Sequence, residues 1–225
     1  MANTISEVVK SIIDNDLSFQ DALERGYSNL SAMARLIKPK VDMIMNYDVK
    51  IDSIVTSLKR LKATYNITTK DVEEIVANSK IILKTDVAKI SLIKSKGIVE
   101  KVTKPLAEHY DAFISVSQGV DSITMIFDHV ILEKMKTLFI EDVLEVQNNL
   151  AAIIVKSPAS IIKTPACALV FYNQLGKRHI NIEDTISCYT DTIMLVDMDD
   201  VAKAFNILSE LIRSTRDNLM LRNQS

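Results

Sequence analysis

The spacing of apolar positions changes near residue 70, and the two patterns predict different kinds of structure. Before this point apolar residues recur every three or four positions, which is the spacing of one face of an amphipathic helix. Strand-like runs are nearly absent there, so residues 1–70 are predicted to form an all-α helical module. Its predicted helices are Ile5–Asp14, Phe19–Arg25, Leu30–Ile37 and Val49–Tyr65.

The connection between the second and third predicted helices is short. Gly26 follows the second helix as a C-terminal stop, while Ser18 and Asn29 stand at the N-cap positions of the second and third helices. Short helices joined by such a tight turn are typical of a helix-turn-helix. A linker over about Asn66–Lys70 is predicted to lead to the rest of the chain.

Beyond this linker, apolar β-branched runs alternate with helical spacing, and the alternation occurs twice. Val87–Lys94 and Leu150–Lys156 open the two units as buried strands. In each unit a helix follows, then two strands joined by a hairpin turn, then a second helix. The paired strands are predicted at Ala112–Ser117 and Ser122–Phe127 in the first unit, and at Ile180–Cys188 and Thr192–Val196 in the second.

A closing strand would make each unit a ferredoxin-like β-α-β-β-α-β arrangement. Val143–Val146 is predicted to close the first sheet. An additional strand is predicted at Lys80–Lys84, and two segments are candidates to complete the second sheet, Ile81–Leu83 and the C-terminal Leu219–Leu221.

Self-similarity supports the two-unit division. Asp121–Ile126 resembles Asp191–Val196, 70 positions further on, and Ala88–Ser95 resembles Ala151–Ser157 at a smaller offset, as expected if one loop differs in length. The predicted fold class is therefore α+β: a helical module over residues 1–70, followed by two tandem ferredoxin-like βαββαβ domains over residues 71–147 and 148–225.

Composition excludes several kinds of site. With only four glycines, never two within a few residues, the chain lacks a phosphate-binding loop or a dinucleotide fingerprint. Cys167 and Cys188 are too few for a four-thiolate zinc site, and His109, His129 and His179 fall in different elements. No metal and no cofactor are therefore predicted. The net charge of −2 does not favour any particular class of partner.

The apolar runs, the first residues and the cysteines indicate the compartment in which the protein is expected. The longest are far shorter than the roughly 18 residues that span a bilayer, and residues 1–7 lack the basic and apolar regions of a signal peptide. Two cysteines fit a reducing compartment, so a cytoplasmic protein without a membrane partner is expected.

Three segments of the second unit carry a family resemblance: Ala152–Pro158, His179–Glu183 and Ile186–Thr192 resemble the ACT domains of aspartokinases. The first unit, with Lys96-Gly97-Ile98 after its first strand, resembles a more diverged ACT domain. Asp21–Arg35 resembles the N-terminal segment of uncharacterised archaeal ACT-like proteins.

The resemblance implies allosteric control by a small ligand, typically an amino acid, held where two ACT domains pair. Carried over to this sequence, the effector-binding residues are Lys163, Thr164, Pro165, Ala166, Asn181 and Ile182. Backbone amides of a helix starting after Pro165 suit a carboxylate, and Asn181 offers both a donor and an acceptor. Many ACT domains have glycine where this chain has Ala166.

The function predicted from these features is that of a non-enzymatic regulatory protein, which senses a small molecule, in the first place an amino acid, through paired ACT-like domains. A homodimer or higher oligomer formed through these domains is expected. No aspartokinase catalytic half is recognisable, because only about 70 helical residues without a glycine-rich loop precede the repeat. A structural partner module of a biosynthetic enzyme is one alternative.

The other alternative is a transcriptional regulator that binds DNA through the helix-turn-helix. Its tentative DNA-binding residues are Asn29, Ser31, Arg35, Lys38 and Lys40. Residues 1–70 contain ten basic and eight acidic residues, and so small a surplus predicts weak attraction to phosphates.

Overall fold

A computed structural model describes residues 4–24, 26–62 and 69–223 of the chain. The chain divides into two compact units, Met1–Thr68 and Thr69–Ser225. The predicted linker falls at this boundary. Its residues 66–68 lie outside the described residues, and Thr69 and Lys70 begin a helix.

The first unit consists of helices. They are α1 (Ile5–Asp14), α2 (Leu17–Glu24), α3 (Leu30–Met45) and α4 (Ile51–Lys62). Their apolar faces meet in one core, whose fully buried members are Val9, Ile13, Leu23, Ala34, Val41, Ile54 and Leu58. All of these residues except Val41 lie within helices that the spacing of apolar residues predicted.

The bounds of α2, α3 and α4 differ from the prediction, whereas those of α1 agree with it. α3 runs eight residues beyond Ile37 and passes through Pro39. Burial of Val41 on the core side keeps this last part of the helix in place although proline removes one backbone donor. Asn29 caps α3 as predicted, but Ser18 does not cap α2: the Asp16 carboxylate accepts the hydrogen bonds of the first-turn amides instead.

The second unit is built on one antiparallel sheet of six strands. They are β1 (Lys80–Ile93), β2 (Ile114–Gln118), β3 (Ser122–Asp128), β4 (Val143–Lys156), β5 (Asp184–Cys188) and β6 (Asp191–Asp197). Their order in the sheet is β2-β3-β1-β4-β6-β5. The helices are α5 (Thr69–Ala77), α6 (Lys96–Lys101), α7 (Thr103–Glu108), α8 (Leu132–Leu138), α9 (Cys167–Gly176) and α10 (Val201–Asn223).

The predicted strands Lys80–Lys84 and Val87–Lys94 are two parts of one long strand, β1. In the same way, Val143–Val146 and Leu150–Lys156 are both parts of β4, which continues through the predicted domain boundary at residues 147 and 148. We refer to the part of the sheet containing β2 and β3, with α6–α8, as the first half. The part containing β5 and β6, with α5, α9 and α10, is the second half.

The two long strands complete both halves. In the first half, β1 pairs with β3 from Val87 to Ile93 and with the start of β4. In the second half, the end of β4 pairs with β6 and with Lys80–Lys84 of β1. Ile81–Leu83 is therefore the segment that completes the second sheet, whereas Leu219–Leu221 lies in α10. Each half has the strand order of a ferredoxin-like unit.

Register shifts between Lys84 and Lys89 of β1 mark the join of the two halves. Each shift adds one residue to one strand, and the added residue reverses the alternation of side chains along that strand. As a result, the core residues on both sides of the join lie on the same sheet face, toward the helices. Asp86, at the first shift, has a φ of 56°. On the helix-facing side lie Ala88, Ile90, Leu92, Ala151, Ile153 and Val155. A second buried cluster lies on the other face and contains Val87, Ile126, Leu150, Ala152, Ile193 and Leu195.

The α5 helix was not predicted. Only Ile75, Val76 and Ala77 at its end are fully buried, so its nine residues carry a weak periodic signal. Arg216 of α10 fixes its C-terminus, because the guanidinium Nε and Nη2 donate to the Ala77 carbonyl at 3.0 and 2.8 Å. Such a long-range bond to an open helix carbonyl cannot be recognised from local spacing.

The strand pairing shows that the 70-residue offset of the predicted repeat is wrong by one residue in this region. Ile93 at the end of β1 pairs with Ser122, and Lys156 at the end of β4 pairs with Asp191, which makes Ser122 the counterpart of Asp191. The offset is therefore 69. The error matters because one residue turns a side chain to the opposite face of a strand.

Candidate functional site

The loop between β4 and α9 distinguishes the second half from the first. Matching backbone bonds align the ends of the two first strands: the Lys94 amide donates to the Asp121 carbonyl, and the Ser157 amide to the Thr190 carbonyl. In the first half, α6 begins two residues after Lys94. In the second half, a 3₁₀ helix at Ala159–Lys163 intervenes before α9. This insertion accounts for the smaller offset seen in the sequence.

The insertion leaves the N-terminus of α9 without a side-chain cap. In the first half, the Ser95 hydroxyl accepts a hydrogen bond from the Ile98 amide at 3.3 Å. In the second half, Thr164 lies two residues before the N-cap position of α9, and its hydroxyl donates to the Ser160 carbonyl at 2.9 Å. Ala166 occupies the N-cap position and offers no acceptor. The first-turn amides of α9 therefore remain available to a ligand with an anionic group.

These amides adjoin a groove of about 370 Å³. We call it the α9 groove. One side is formed by the inserted loop and α9, and the other side by the hairpin between β5 and β6. Its lining residues are Ile161, Ile162, Thr164, Ala166, Cys167, Ala168, Leu169, Ser187, Tyr189, Thr190, Asp191 and Thr192. Four of these residues carry hydroxyls on short side chains, and Asp191 supplies the only charged side chain among them.

Thr192 is the least expected member of the groove. It is only 4% exposed and lies on the helix-facing side of β6, where its counterpart Ile123 on β3 is a core residue. Its hydroxyl forms no hydrogen bond with another residue of the described part of the chain, whereas the neighbouring Thr190 hydroxyl donates to the Asp191 carboxylate at 3.3 Å. Because Thr192 lines the groove, its hydroxyl can donate to or accept from a polar occupant there.

The backbone at the mouth of the groove is strained at two residues. Ala166 has φ 63° and Tyr189 has φ 54°, which is the left-handed region that favours glycine. Ala166 thus stands where many ACT domains have glycine, and it adopts the conformation that a glycine would adopt.

The six predicted effector residues fall into two groups. Thr164 and Ala166 line the α9 groove, with Pro165 between them in the chain, and Lys163 ends the 3₁₀ helix that leads into it. Asn181 and Ile182 lie elsewhere, just before β5. The predicted strand Ile180–Cys188 begins only at Asp184, because residues 180–183 form a loop.

The distance between the two groups follows from the sheet register. The groove adjoins the Cys188 end of β5, which pairs with Asp191, whereas Asn181 and Ile182 precede the Asp184 end, which pairs with Leu195. Four residues of strand separate these ends, or about 13 Å. Within one chain, Asn181 instead donates from its side-chain amide to Glu183, and Ile182 packs against the core of the second half.

Sequence reasoning missed the hairpin side of the groove. A signal was present, because a threonine at a core position of a strand is unusual. The 70-residue offset concealed it by placing Ile193 opposite Ile123, which made this position look apolar in both units.

Burial raises the pKa of the Cys167 thiol to about 11, so this groove residue remains a neutral thiol near pH 7. Cys188 is exposed, and both cysteines are free. Within residues 4–24, 26–62 and 69–223 no group of three or more His, Cys, Asp and Glu side chains is placed to hold a metal ion. Over the same residues no helix is long and apolar enough to cross a membrane.

The residues predicted to contact DNA lie on or beside α3 in the first unit. The Asn29 side chain caps this helix, and Lys38 contacts both Asp42 and Asp48. The bonds to Asp42 and then Asp48 raise the pKa of Lys38 above its ordinary value. Ser31, Arg35 and Lys40 are exposed. DNA binding by these residues stays a prediction.

No protein-family model and no curated protein matches the chain. Solved structures do resemble it. Aspartate kinase from Clostridium acetobutylicum, described as an allosteric enzyme, matches over 59% of this chain and 34% of its own, with a TM-score of 0.50 and 19% identity. A structure of aspartokinase alpha and beta subunits matches over 64% of this chain and 99% of its own, with a TM-score of 0.52 and 13% identity.

The ligand-free regulatory subunit of aspartate kinase from Thermus thermophilus also matches, over 58% of this chain and 95% of its own, with a TM-score of 0.48 and 19% identity. At such identities the likeness concerns the fold, and we base it on the two structures with the higher scores. The chain spans about a third of the length of the Clostridium enzyme. The α+β fold is thus similar to the ACT-type fold of aspartokinases, as the resemblance in the second unit implied.

Proposed function

We propose that the chain is a non-enzymatic regulatory protein that binds a free amino acid in the α9 groove. The observation that carries this proposal is that the uncapped N-terminus of α9 adjoins a groove that is also lined by Thr192 and Asp191. Similarity to the fold of an allosteric aspartate kinase supports a regulatory role.

Each group of an amino acid has a counterpart in the groove. The first-turn amides of α9 suit the carboxylate, because they are donors at the positive end of a helix dipole. Asp191 and the nearby hydroxyls suit the ammonium group, since an opposite charge and acceptor oxygens lie on the same side. Thr192 then gains the hydrogen-bond partner that it lacks within the described part of the chain.

A second copy of the chain would complete the site that the family resemblance implies. β5 is an edge strand of the sheet, so its free edge is available to a partner strand. In an antiparallel pairing of two β5 strands around a twofold axis, the Asp184 end of one copy lies beside the Cys188 end of the other. Asn181 and Ile182 of one copy would then approach Lys163, Thr164, Pro165 and Ala166 of the other. This arrangement is the basis for expecting a homodimer.

Isothermal titration calorimetry of the full chain against the proteinogenic amino acids, up to millimolar concentration, tests the proposal. Thr192→Val removes the hydroxyl at nearly constant volume, and Asp191→Asn removes the charge. Each is expected to weaken binding about five- to thirtyfold, which corresponds to the loss of a hydrogen bond worth roughly 1–2 kcal/mol.

Thr124→Val is the matched control, because Thr124 lies on β3 in the first half, contacts Ser91 at 3.4 Å and does not line the groove. The control is expected to bind like the wild type. The proposal fails if no amino acid binds at millimolar concentration, or if Thr192→Val and Asp191→Asn bind as tightly as the Thr124→Val control.

A further inference from the structure

Ser157 lies directly after β4, at the point where the inserted loop of the α9 groove begins. Its amide donates to the Thr190 carbonyl at 3.1 Å, so it is bonded to the hairpin that forms the other side of the groove. Its side chain is only 7% exposed. Lys94 holds the matching position in the first half, and its ammonium group donates to the Gly119 carbonyl. The fold alone therefore does not require a buried serine at this position.

The Ser157 hydroxyl continues this connection to the end of α5. It lies 2.9 Å from the hydroxyl of Ser79, which is 1% exposed. The Ser79 hydroxyl in turn donates to the Ile75 carbonyl at 2.7 Å. Because a hydroxyl has one proton to donate, the Ser79 proton is used by Ile75, and the Ser157 hydroxyl must donate to Ser79. Hydrogen bonds through Ser157 and Ser79 thus connect the groove hairpin to the backbone of α5.

The stability of α5 depends on contacts of this kind, because nine residues are too few for a helix to be stable by itself in water. The buried residues Ile75–Ala77 lie at its C-terminal end, where Arg216 also holds the Ala77 carbonyl. The helix packs against the 3₁₀ helix and α9, which form one side of the groove. Its first residue, Thr69, adjoins the boundary between the two units. Along the chain, α5 is therefore the element of the second unit next to the first unit.

We propose that Ser157 and Ser79 couple the α9 groove to α5, so that ordering of the groove also stabilises this helix. An amino acid in the groove contacts both the hairpin and the loop, and immobilising them keeps Ser157 in place to donate to Ser79. The helix then opens less often, and the effect reaches Thr69, where the chain arrives from the first unit. The part played by an amino acid rests on the function proposed above, whereas the coupling itself can be measured without any ligand.

Hydrogen exchange of the full chain without ligand, followed by mass spectrometry, measures the coupling at the α5 amides. Thr190→Gly loosens the hairpin that holds Ser157 and is expected to speed exchange in α5 about two- to tenfold, which is the effect of losing one hydrogen bond. Ser157→Ala removes the hydroxyl and is expected to have an effect of similar size. Since both changes break the same connection, the double variant is expected to exchange no faster than Ser157→Ala alone. Val120→Gly, in the exposed turn of the first hairpin, is the control and is expected to leave α5 unchanged.

The second arm adds each proteinogenic amino acid at millimolar concentration. Those that bind in calorimetry are expected to slow exchange in α5 of the wild type about two- to tenfold, again the range of one hydrogen bond. In Ser157→Ala and in Ser79→Ala they are expected to bind, because neither serine lines the groove, but to leave exchange in α5 unchanged. A purely structural role of the two serines would change exchange equally with and without the amino acid.

The proposal is overturned if the effects of Thr190→Gly and Ser157→Ala multiply in the double variant, or if Val120→Gly speeds exchange in α5 as much as Thr190→Gly does. It is also overturned if an amino acid binds but protects α5 equally in the wild type and in Ser157→Ala, or protects it in neither. If no amino acid binds, the function proposed above fails, and the double variant still decides whether the groove and α5 are coupled.

Discussion

Ala166 and Gly97 each lie at the start of a helix, and at both positions the residue type is the reverse of what the backbone favours. Ala166 precedes α9 with φ 63°, whereas Gly97 is the second residue of α6 and has no left-handed φ. We therefore expect Ala166→Gly and Gly97→Ala each to stabilise the protein. The family resemblance alone would suggest glycine at residue 166, but it would give no reason to replace Gly97.

The magnitudes follow from the two conformations. A left-handed φ costs an L-residue about 1–2 kcal/mol relative to glycine. Glycine offsets part of this gain, because it loses more conformational entropy on folding than alanine does, by about 0.5–1 kcal/mol. The net gain for Ala166→Gly is then about 0.5–1 kcal/mol. For Gly97→Ala, the added Cβ lies 4.0 Å from the Ser95 hydroxyl, so it meets no obstacle, and the helix gains about 0.5–1 kcal/mol.

Thermal unfolding followed by circular dichroism measures both effects. For a chain of this length, each variant is expected to raise Tm by roughly 1–4 °C. Ala168→Gly is the control, because Ala168 is the second residue of α9 and has an ordinary helical position. It is expected to lower Tm by a similar amount. If Ala166→Gly lowers Tm as Ala168→Gly does, the strain at the mouth of the groove is not real and the reasoning is refuted.

Two further predictions concern the ends of the same helices. Ser95→Ala removes the hydroxyl that accepts a hydrogen bond from the Ile98 amide, and it is expected to lower the free energy of unfolding, measured in urea, by about 1 kcal/mol. Thr164→Val removes a hydroxyl that caps no helix and is expected to lower it clearly less. Equal losses in the two variants would contradict the difference in capping between α6 and α9. Because burial raises the pKa of Cys167 from 9.0 to about 11, its contribution to stability is complete below pH 9 and is lost as the pH rises toward 11, since the unfolded thiol ionises first. The loss of Tm between pH 9 and 11 is expected to be smaller in Cys167→Ala than in the wild type, and equal losses would show that this thiol does not titrate differently on folding.

Local patterns along the sequence were sufficient for the types of most elements. Helical spacing of apolar residues predicted α1 with its observed bounds, and the Asn29 cap of α3 was recognised because an N-cap acts on amides only a few residues away. Runs of β-branched residues located the strands, because one face of each strand is buried whichever strand it pairs with. The ACT-like resemblance agreed with the fold because it depended on these strand segments.

Long-range pairing decided what local patterns could not. The sequence predicted Lys80–Lys84 and Val87–Lys94 as separate strands. Only their pairing with β4 and β3, far along the chain, makes them one strand, β1, that belongs to both halves. Register also decided the site. A shift of one residue determines whether Thr192 or Ile193 faces the helices, and hydrogen bonds of the hairpin set that register.

What the sequence by itself determined is therefore the α+β class, the repeated order of elements and the loop half of the α9 groove, because these depend on residues that are neighbours in the chain. What only the tertiary structure decided is the continuous sheet, the hairpin half of the groove and the separation of Asn181 and Ile182 from Thr164 and Ala166. These features arise where segments that are distant in sequence come into contact. Burial of apolar surface and backbone hydrogen bonds between strands stabilise these contacts, and both depend on two or more segments at once.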